Sequence, residues 1–237
     1  MTNLQNFLLE ICVDSVESAI AAQAGGADRV ELCANLNEDG TTPSAGMIEV
    51  ARQSLSIGLQ VLIRPRGGNF CYSDFEFETM KKDLAVARTL GADGVVVGML
   101  DSAFTVDVAR MRELVELARP LRVTFHRAFD VVVDPLQALE LLIELRIDRI
   151  LTSGQAKTAM EGLTRIVQLA QKAAGRLSIM PASGINTQNI RQILAETGAN
   201  EIHVGSAVST MKNDLSSVLF ATPLRFVDRQ KVLALRQ

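Results

Sequence analysis

Two short stretches carry the same chemical theme. Leu9-Glu10-Ile11-Cys12 and Val30-Glu31-Leu32-Cys33 each set a carboxylate two residues ahead of a thiol. On a β-strand that spacing puts both polar groups on one face and the apolar neighbours on the other. The same alternation turns Thr124 and His126 away from Val123 and Phe125, and Glu201 and His203 away from Ile202 and Val204. If strands stand about 4.8 Å apart, Cys12 and Cys33 at neighbouring strand ends meet at similar depth. Two thiolates, with His126 or His203, form a soft donor set suited to Cu(I) or, less readily, zinc. The spacing is not a CxxC, so the residues alone leave the metal open.

A second chemistry is anion binding. The alternation Leu59, Val61, Ile63 runs into Arg64-Pro65-Arg66-Gly67-Gly68-Asn69-Phe70, where Pro65 cannot donate to a ladder and the glycine pair lets the chain turn. A guanidinium delivered there demands a partner: a neighbouring glutamate such as Glu10, or a ligand carboxylate or phosphate. Ser183-Gly184 and Gly205-Ser206 supply backbone N–H groups at two later strand ends, and Thr152-Ser153-Gly154 another small polar turn. With Arg64, Arg66 or Arg127 as counter-charge, Glu10, Glu31, His126 and Asp130 would serve as acid-base groups of an enzyme acting on a phosphorylated or carboxylated small molecule. This pattern names a ligand class, not a reaction.

Each residue also has a structural reading: a cysteine as a small core hydrophobe, a histidine as a hydrogen-bonded core residue, Glu10 with Arg64 as an ion pair. What favours a pocket is that these groups come from several strands and meet only if the sheet closes.

The elements that must position them follow a simple rhythm. Strand patterns at Phe7 to Val13, Asp28 to Cys33, Leu59 to Arg64, Gly94 to Gly98, Arg122 to His126, Arg149 to Thr152, Leu177 to Pro181 and Glu201 to Gly205 alternate with helical patterns at 15–24, 45–56, 75–90, 107–118, 135–145, 159–174 and 187–197. An eighth helix is ambiguous within 206–222, and 223–237 reads as a closing segment with a short helix. Strand and helix alternating with short connections implies a parallel sheet, and eight units in 237 residues predict a single (β/α)8 TIM barrel, with a doubly wound open sheet as runner-up. The lead-ins Gly26-Ala27-Asp28, Gly91-Ala92-Asp93 and Gly198-Ala199-Asn200 each stop a helix and turn into a strand.

Composition excludes other classes. With 48% hydrophobic residues, 22% charged, a formal charge of −3, one Tyr and no Trp, the chain has a large core and no basic or aromatic track for nucleic acid. Met1-Thr2-Asn3-Leu4-Gln5-Asn6 lacks a basic signal-peptide start and no apolar run nears the ~20 residues of a membrane span. A cytoplasmic protein is expected, and the odd count of three cysteines fits reduced thiols.

The runs Leu9-Glu10-Ile11-Cys12-Val13-Asp14-Ser15, Ala27-Asp28-Arg29-Val30-Glu31-Leu32-Cys33, Thr42-Pro43-Ser44, Arg64-Pro65-Arg66-Gly67-Gly68-Asn69-Phe70 and Phe125-His126-Arg127-Ala128-Phe129-Asp130, continued by Leu151-Thr152-Ser153-Gly154 and Ser183-Gly184-Ile185, resemble the CutC copper-homeostasis family over roughly 7–207. The resemblance implies a cytoplasmic, usually oligomeric barrel that binds Cu(I) through Cys12 and Cys33. It brings no enzymatic reaction with it. Outward helices such as 107–118 suit a symmetric homodimer. Asn69 stands where the family pattern has Asp, residues 37–41 depart from its usual Glu-Gly-Gly-Leu, and the chain after 207 diverges.

Overall fold

Alternating apolar residues give each strand one face that must be buried by a helix, and the chain meets that demand by curling its sheet. The computed structural model describes residues 7–212 and 224–237. Its parallel strands are β1 (Leu8–Val13), β2 (Arg29–Leu32), β3 (Gly58–Leu62), β4 (Gly94–Val97), β5 (Arg122–Phe125), β6 (Arg149–Thr152), β7 (Ser178–Pro181) and β8 (Glu201–Val204). Hydrogen bonding runs in the order β7-β6-β5-β4-β3-β2-β1-β8, and β7 lies beside β8, so the sheet forms a nearly closed (β/α)8 barrel. The open doubly wound alternative is thereby overturned.

Seven helices follow the strands: α1 (Val16–Ala24), α2 (Ala45–Ser54), α3 (Asp74–Thr89), α4 (Val108–Ala118), α5 (Pro135–Glu144), α6 (Leu163–Ala173) and α7 (Ile190–Thr197). Side-chain caps fix several of their starts. Ser15, Ser44, Asp107 and Asp134 accept from first-turn N–H groups, and Ser73 with Glu76 closes a reciprocal capping box. The outward residues Leu9, Ile11, Val30, Leu32, Leu59, Val61, Val95, Val123, Phe125, Ile202 and Val204 are all buried in the layer between strands and helices. The recurring aspartate has a specific task. The carboxylates of Asp28, Asp93 and Asp148 accept the backbone N–H of Leu9 at 2.7 Å, Leu59 at 2.8 Å and Val123 at 2.8 Å, each on the strand before.

Most boundaries shift by a residue or two from the sequence reading, and three shifts bear on how the site is built. β3 ends at Leu62, and Arg64 lies beyond it, where its N–H donates to Thr42 Oγ1 and its carbonyl accepts from Thr42 N. α6 starts at Leu163 rather than 159, after a turn in which Gly154 and Gly162 pack backbone to backbone. α7 starts at Ile190 rather than 187, because Asn186 and Asn189 side chains take up the preceding N–H groups.

After β8 the chain makes a 3-10 turn at Ser206–Val208, then β9 (Ser209–Lys212), which pairs antiparallel with β10 (Leu224–Val227). The short helix expected in the tail is α8 (Arg229–Ala234), capped by Asp228. It packs on α1, and Arg236 then ties the end of the chain to the carbonyls of Phe7 and Gly26. The residues 1–6, the rest of the ambiguous stretch at 213–222 and Pro223 lie outside the described residues. Among the described residues no helix is long and apolar enough to cross a membrane.

The α1–α8 contact has no slack. Gly25 has φ −85°, open to any residue, but a Cβ there would sit 2.6 Å from Val232 Cβ and 2.8 Å from the Arg229 carbonyl. Gly25→Ala is expected to destabilise by about 1–3 kcal/mol through overpacking, whereas Gly46→Ala, with nothing within 4 Å of the new methyl, should match or slightly exceed wild type. Urea denaturation of the two variants checks this; an unaffected Gly25→Ala would mean α8 is not docked on α1.

Candidate functional site

The inward residues stack in layers. At the floor Arg29 lies between two carboxylates, donating from Nε to Glu10 and from a terminal nitrogen to Glu201 at 2.8 Å. Glu201 also accepts from Arg149 Nε at 2.6 Å, and Arg149 reaches Thr124 Oγ1 at 3.0 Å. Burial would push the Glu10 carboxyl up, but the charge of Arg29 and the bond to His203 outweigh it and hold the group at about 2. The counter-charge for Glu10 is thus Arg29, not Arg64. Arg29 and Arg149 are functional residues the sequence reading left out, although both have the inward parity of Glu31 and Leu151.

Above this floor sits the thiol layer. Glu10 Oε1 lies 2.7 Å from His203 Nδ1, and His203 Nε2 lies 3.7 Å from Glu31 Oε2. Cys12 Sγ and Cys33 Sγ are 3.7 Å apart as free thiols. The hydrogen bond from Cys33, with His203 alongside, lowers Cys12 to about 5 despite burial. Cys33 is pushed well up by the thiolate beside it and by burial, and Glu31 by burial and the Cys12 charge. Burial alone would lower His203, yet its bonds to Cys12 and Glu10 raise it well above an ordinary imidazole. The cations Arg29, Arg149 and His203 are therefore matched by the anions Glu10, Glu201 and Cys12, while Cys33 and Glu31 keep their protons.

The opposite wall is neutral. His126 Nδ1 accepts the backbone N–H of Ala128 at 3.1 Å. A backbone N–H can only donate, so the ring's proton is on Nε2, which has no acceptor and is buried. Burial, and then the charge of Arg64, lower His126 to about 3. Phe70 packs on the ring with centroids 4.9 Å apart. An unpaired buried donor of this kind costs ~1–3 kcal/mol.

The arginines of the glycine loop have other employment. Arg64 gives its terminal nitrogens to the carbonyls of Glu38 at 2.8 Å, Gly40 at 2.6 Å and Gly68 at 3.0 Å, so it clamps the two loops after β2 and β3. Arg66 turns away to Glu76 at 2.5 Å and the carbonyls of Asn69 and Cys71. Asn69 Oδ1 caps the Cys71 N–H, so the amide fills the turn where the family pattern has a carboxylate. Asp130 accepts from Ser153 N, Gln155 N and Arg127 Nε, and holds the loop after β6. Ser183 Oγ donates to the Lys157 carbonyl at 2.8 Å.

These layers surround a cavity of about 630 Å³ at the C-terminal ends of the strands. Cys12, Glu31, Cys33, His126 and His203 line it, with Arg64 and Asp130 at its walls and Ser183, Gly184, Gly205 and Ser206 at its rim. Glu10 lies beneath, and Arg66 outside. Among the described residues, the one cation lining the cavity that the sequence reading did not single out as a site residue is Arg225 on β10, which comes from the divergent tail. No parity or motif announces it.

Fold and site define a (β/α)8 barrel with a paired-thiol, imidazole and carboxylate pocket at its mouth. The chain belongs to the CutC family, whose sequence profile matches residues 7–208. A copper homeostasis protein cutC homolog of Homo sapiens is 50% identical over 222 residues, spanning 92% of this chain and 81% of that one. A solved structure of a CutC protein from Streptococcus agalactiae superposes with TM-score 0.80 at 35% identity, covering 84% of this chain and 98% of that one. The barrel alone is shared with a thiamine phosphate pyrophosphorylase of Pyrococcus furiosus, with TM-score 0.63 and 20% identity over 99% and 96% of the two chains.

His126 makes an acid-sensitive contribution to stability. Its folded pKa is depressed from an ordinary 6.5 to about 3, so the unfolded chain binds the extra proton first and stability falls as pH drops below 6.5. Between pH 6.5 and 5 wild type should lose about 1–2 kcal/mol more than His126→Asn, the slope approaching about 1.36 kcal/mol per pH unit only at the acid end. Parallel denaturation curves of the two proteins over that window would refute a neutral buried imidazole.

Proposed function

We propose that the chain is a copper-homeostasis protein that takes up one Cu(I) ion between Cys12 and Cys33. The observation that carries this reading is the pair of free sulfurs 3.7 Å apart, close enough for one ion to touch both. The ligand atoms of Cys12, Glu31 and Cys33 lie within 4.8 Å of one another, as do those of Glu10, Glu31 and His203. Paired thiolates are soft donors that select Cu(I). His203 stands next in line as a nitrogen donor, but only after giving up the proton that Glu10 and Cys12 hold on it. His126 is in neither cluster and carries its proton on the unpaired nitrogen, so we leave it out of the metal set.

Cys12 supplies a ready thiolate, while Cys33 must lose its proton as the ion enters, so uptake releases a proton and strengthens as pH rises. Glu10 orients His203, the supporting role that outer carboxylates play at histidine metal sites. Reduced thiols suit a cytoplasmic setting, and the family relationship favours a homo-oligomer, a dimer being the simplest closed form.

Titrating the reduced chain with Cu(I) against a chromogenic chelator should give one tight equivalent, and the Cys12→Ser/Cys33→Ser double variant should bind at least ~100-fold more weakly. A double variant that competes for copper as well as wild type would end this reading.

A further inference from the structure

The copper reading leaves two parts of the cavity lining unexplained, the wall after β5 and the rim formed by the turns after β7 and β8 together with β10. There the structure gathers donors without acceptors. His126 is 5% exposed, and its Nε2–H, fixed by the Ala128 bond to Nδ1, meets no acceptor. Arg225 reaches the same cavity from β10. Its Nε is buried without a partner, and among the described residues no carboxylate pairs with its guanidinium; Asp14 feels its charge without forming an ion pair. At the rim the N–H groups of Gly184, Gly205 and Ser206 donate to no backbone acceptor among the described residues. Gly184 holds φ +69°, and a Cβ on it would lie 2.7 Å from Thr158 Cγ2, so this turn is shaped around bare backbone.

We infer that the cavity is a binding site for a small molecule bearing an oxyanion, a phosphate or a carboxylate. Arg225 and the Gly184 and Ser206 amides receive the charged oxygens, and His126 donates to a neutral acceptor oxygen further in. The division follows from charge. Arg225 is a permanent cation that no carboxylate among the described residues pairs with, so it suits the anionic end. His126 is a neutral donor, which suits a carbonyl or hydroxyl oxygen. Arg64 also has an Nε without a partner, but its terminal nitrogens are taken by three carbonyls, so it shapes the wall and its forked end is closed to a ligand. The site needs no metal, so it stands apart from the copper reading.

The test uses the reduced, metal-free full chain and inorganic phosphate, malonate and glycerol as probes, followed by calorimetric titration and thermal unfolding. Phosphate or malonate, whichever matches the natural oxyanion, should bind and raise Tm, with glycerol inert. Arg225→Gln should weaken that binding at least ~10-fold, and Arg225→Lys, which keeps the charge without the fork, should fall between the two. Equal affinity in wild type and Arg225→Gln, or no binding of either anion to wild type, would overturn the assignment. If Arg225→Gln does not fold, an Arg225→Lys protein that binds as wild type does would overturn it as well.

Discussion

Everything above the barrel floor depends on Arg29 being shared between Glu10 and Glu201. Buried carboxylates are tolerated only when charge and hydrogen bonds replace the lost water, and removing one member of such a network leaves the other stranded at a cost of about 3–5 kcal/mol. Because Arg29 and Arg149 satisfy the carboxylates from below, Glu10 keeps one oxygen free for His203. That bond fixes the imidazole and favours its protonated form, and the protonated ring in turn stabilises the Cys12 thiolate. The reactivity of the sulfur at the mouth is thus set two layers down. Replacing the floor with apolar side chains would preserve a core and lose the thiolate.

The part of this visible in the sequence is the part written in side-chain alternation. Period-two patterns separated by helical stretches gave the barrel, and the same parity placed Glu10, Cys12, Glu31, Cys33, His126, Glu201 and His203 on its inside. Arg29 and Arg149 obey that parity too, but each opens its strand, where it is easily taken for a surface residue of the preceding turn. The glycine-loop arginines were harder for a different reason. Their partners are mostly backbone carbonyls, and backbone acceptors leave no mark in a sequence. Nor could residue types show the His126 tautomer, which depends on where one amide of the following turn points. The tail was obscure because β9 and β10 are short and their pairing is local to that segment.

The cavity is therefore chemically divided, and the division follows the strand order. β1, β2 and β8 are adjacent and contribute both thiols, Glu31 and His203, all ionisable and mutually coupled. β5, on the far side of the ring, contributes a histidine held neutral. Two histidines in one cavity thus behave oppositely, because one faces a carboxylate and a thiolate while the other faces a guanidinium and a phenyl ring. Burial acts on both in the same direction, so the difference is made by their neighbours.

Charge balance also bears on which ion the thiol half would accept. In the resting state the buried charges of floor and thiol layer cancel, with Cys33 and Glu31 protonated. Adding a monovalent cation and expelling the Cys33 proton leaves that balance untouched. A divalent cation would have to drive off a second proton as well, from Glu31 or from His203, or leave an unpaired charge in a low-dielectric site. Glu31 holds its proton because it is buried beside the Cys12 thiolate. An ion seated on Cys12 weakens the second of those causes and not the first, so burial still opposes the second ionisation. For an ion taken up there as proposed, Glu10 likewise opposes loss of the His203 proton, so either second ionisation would count against zinc relative to a soft cation of single charge.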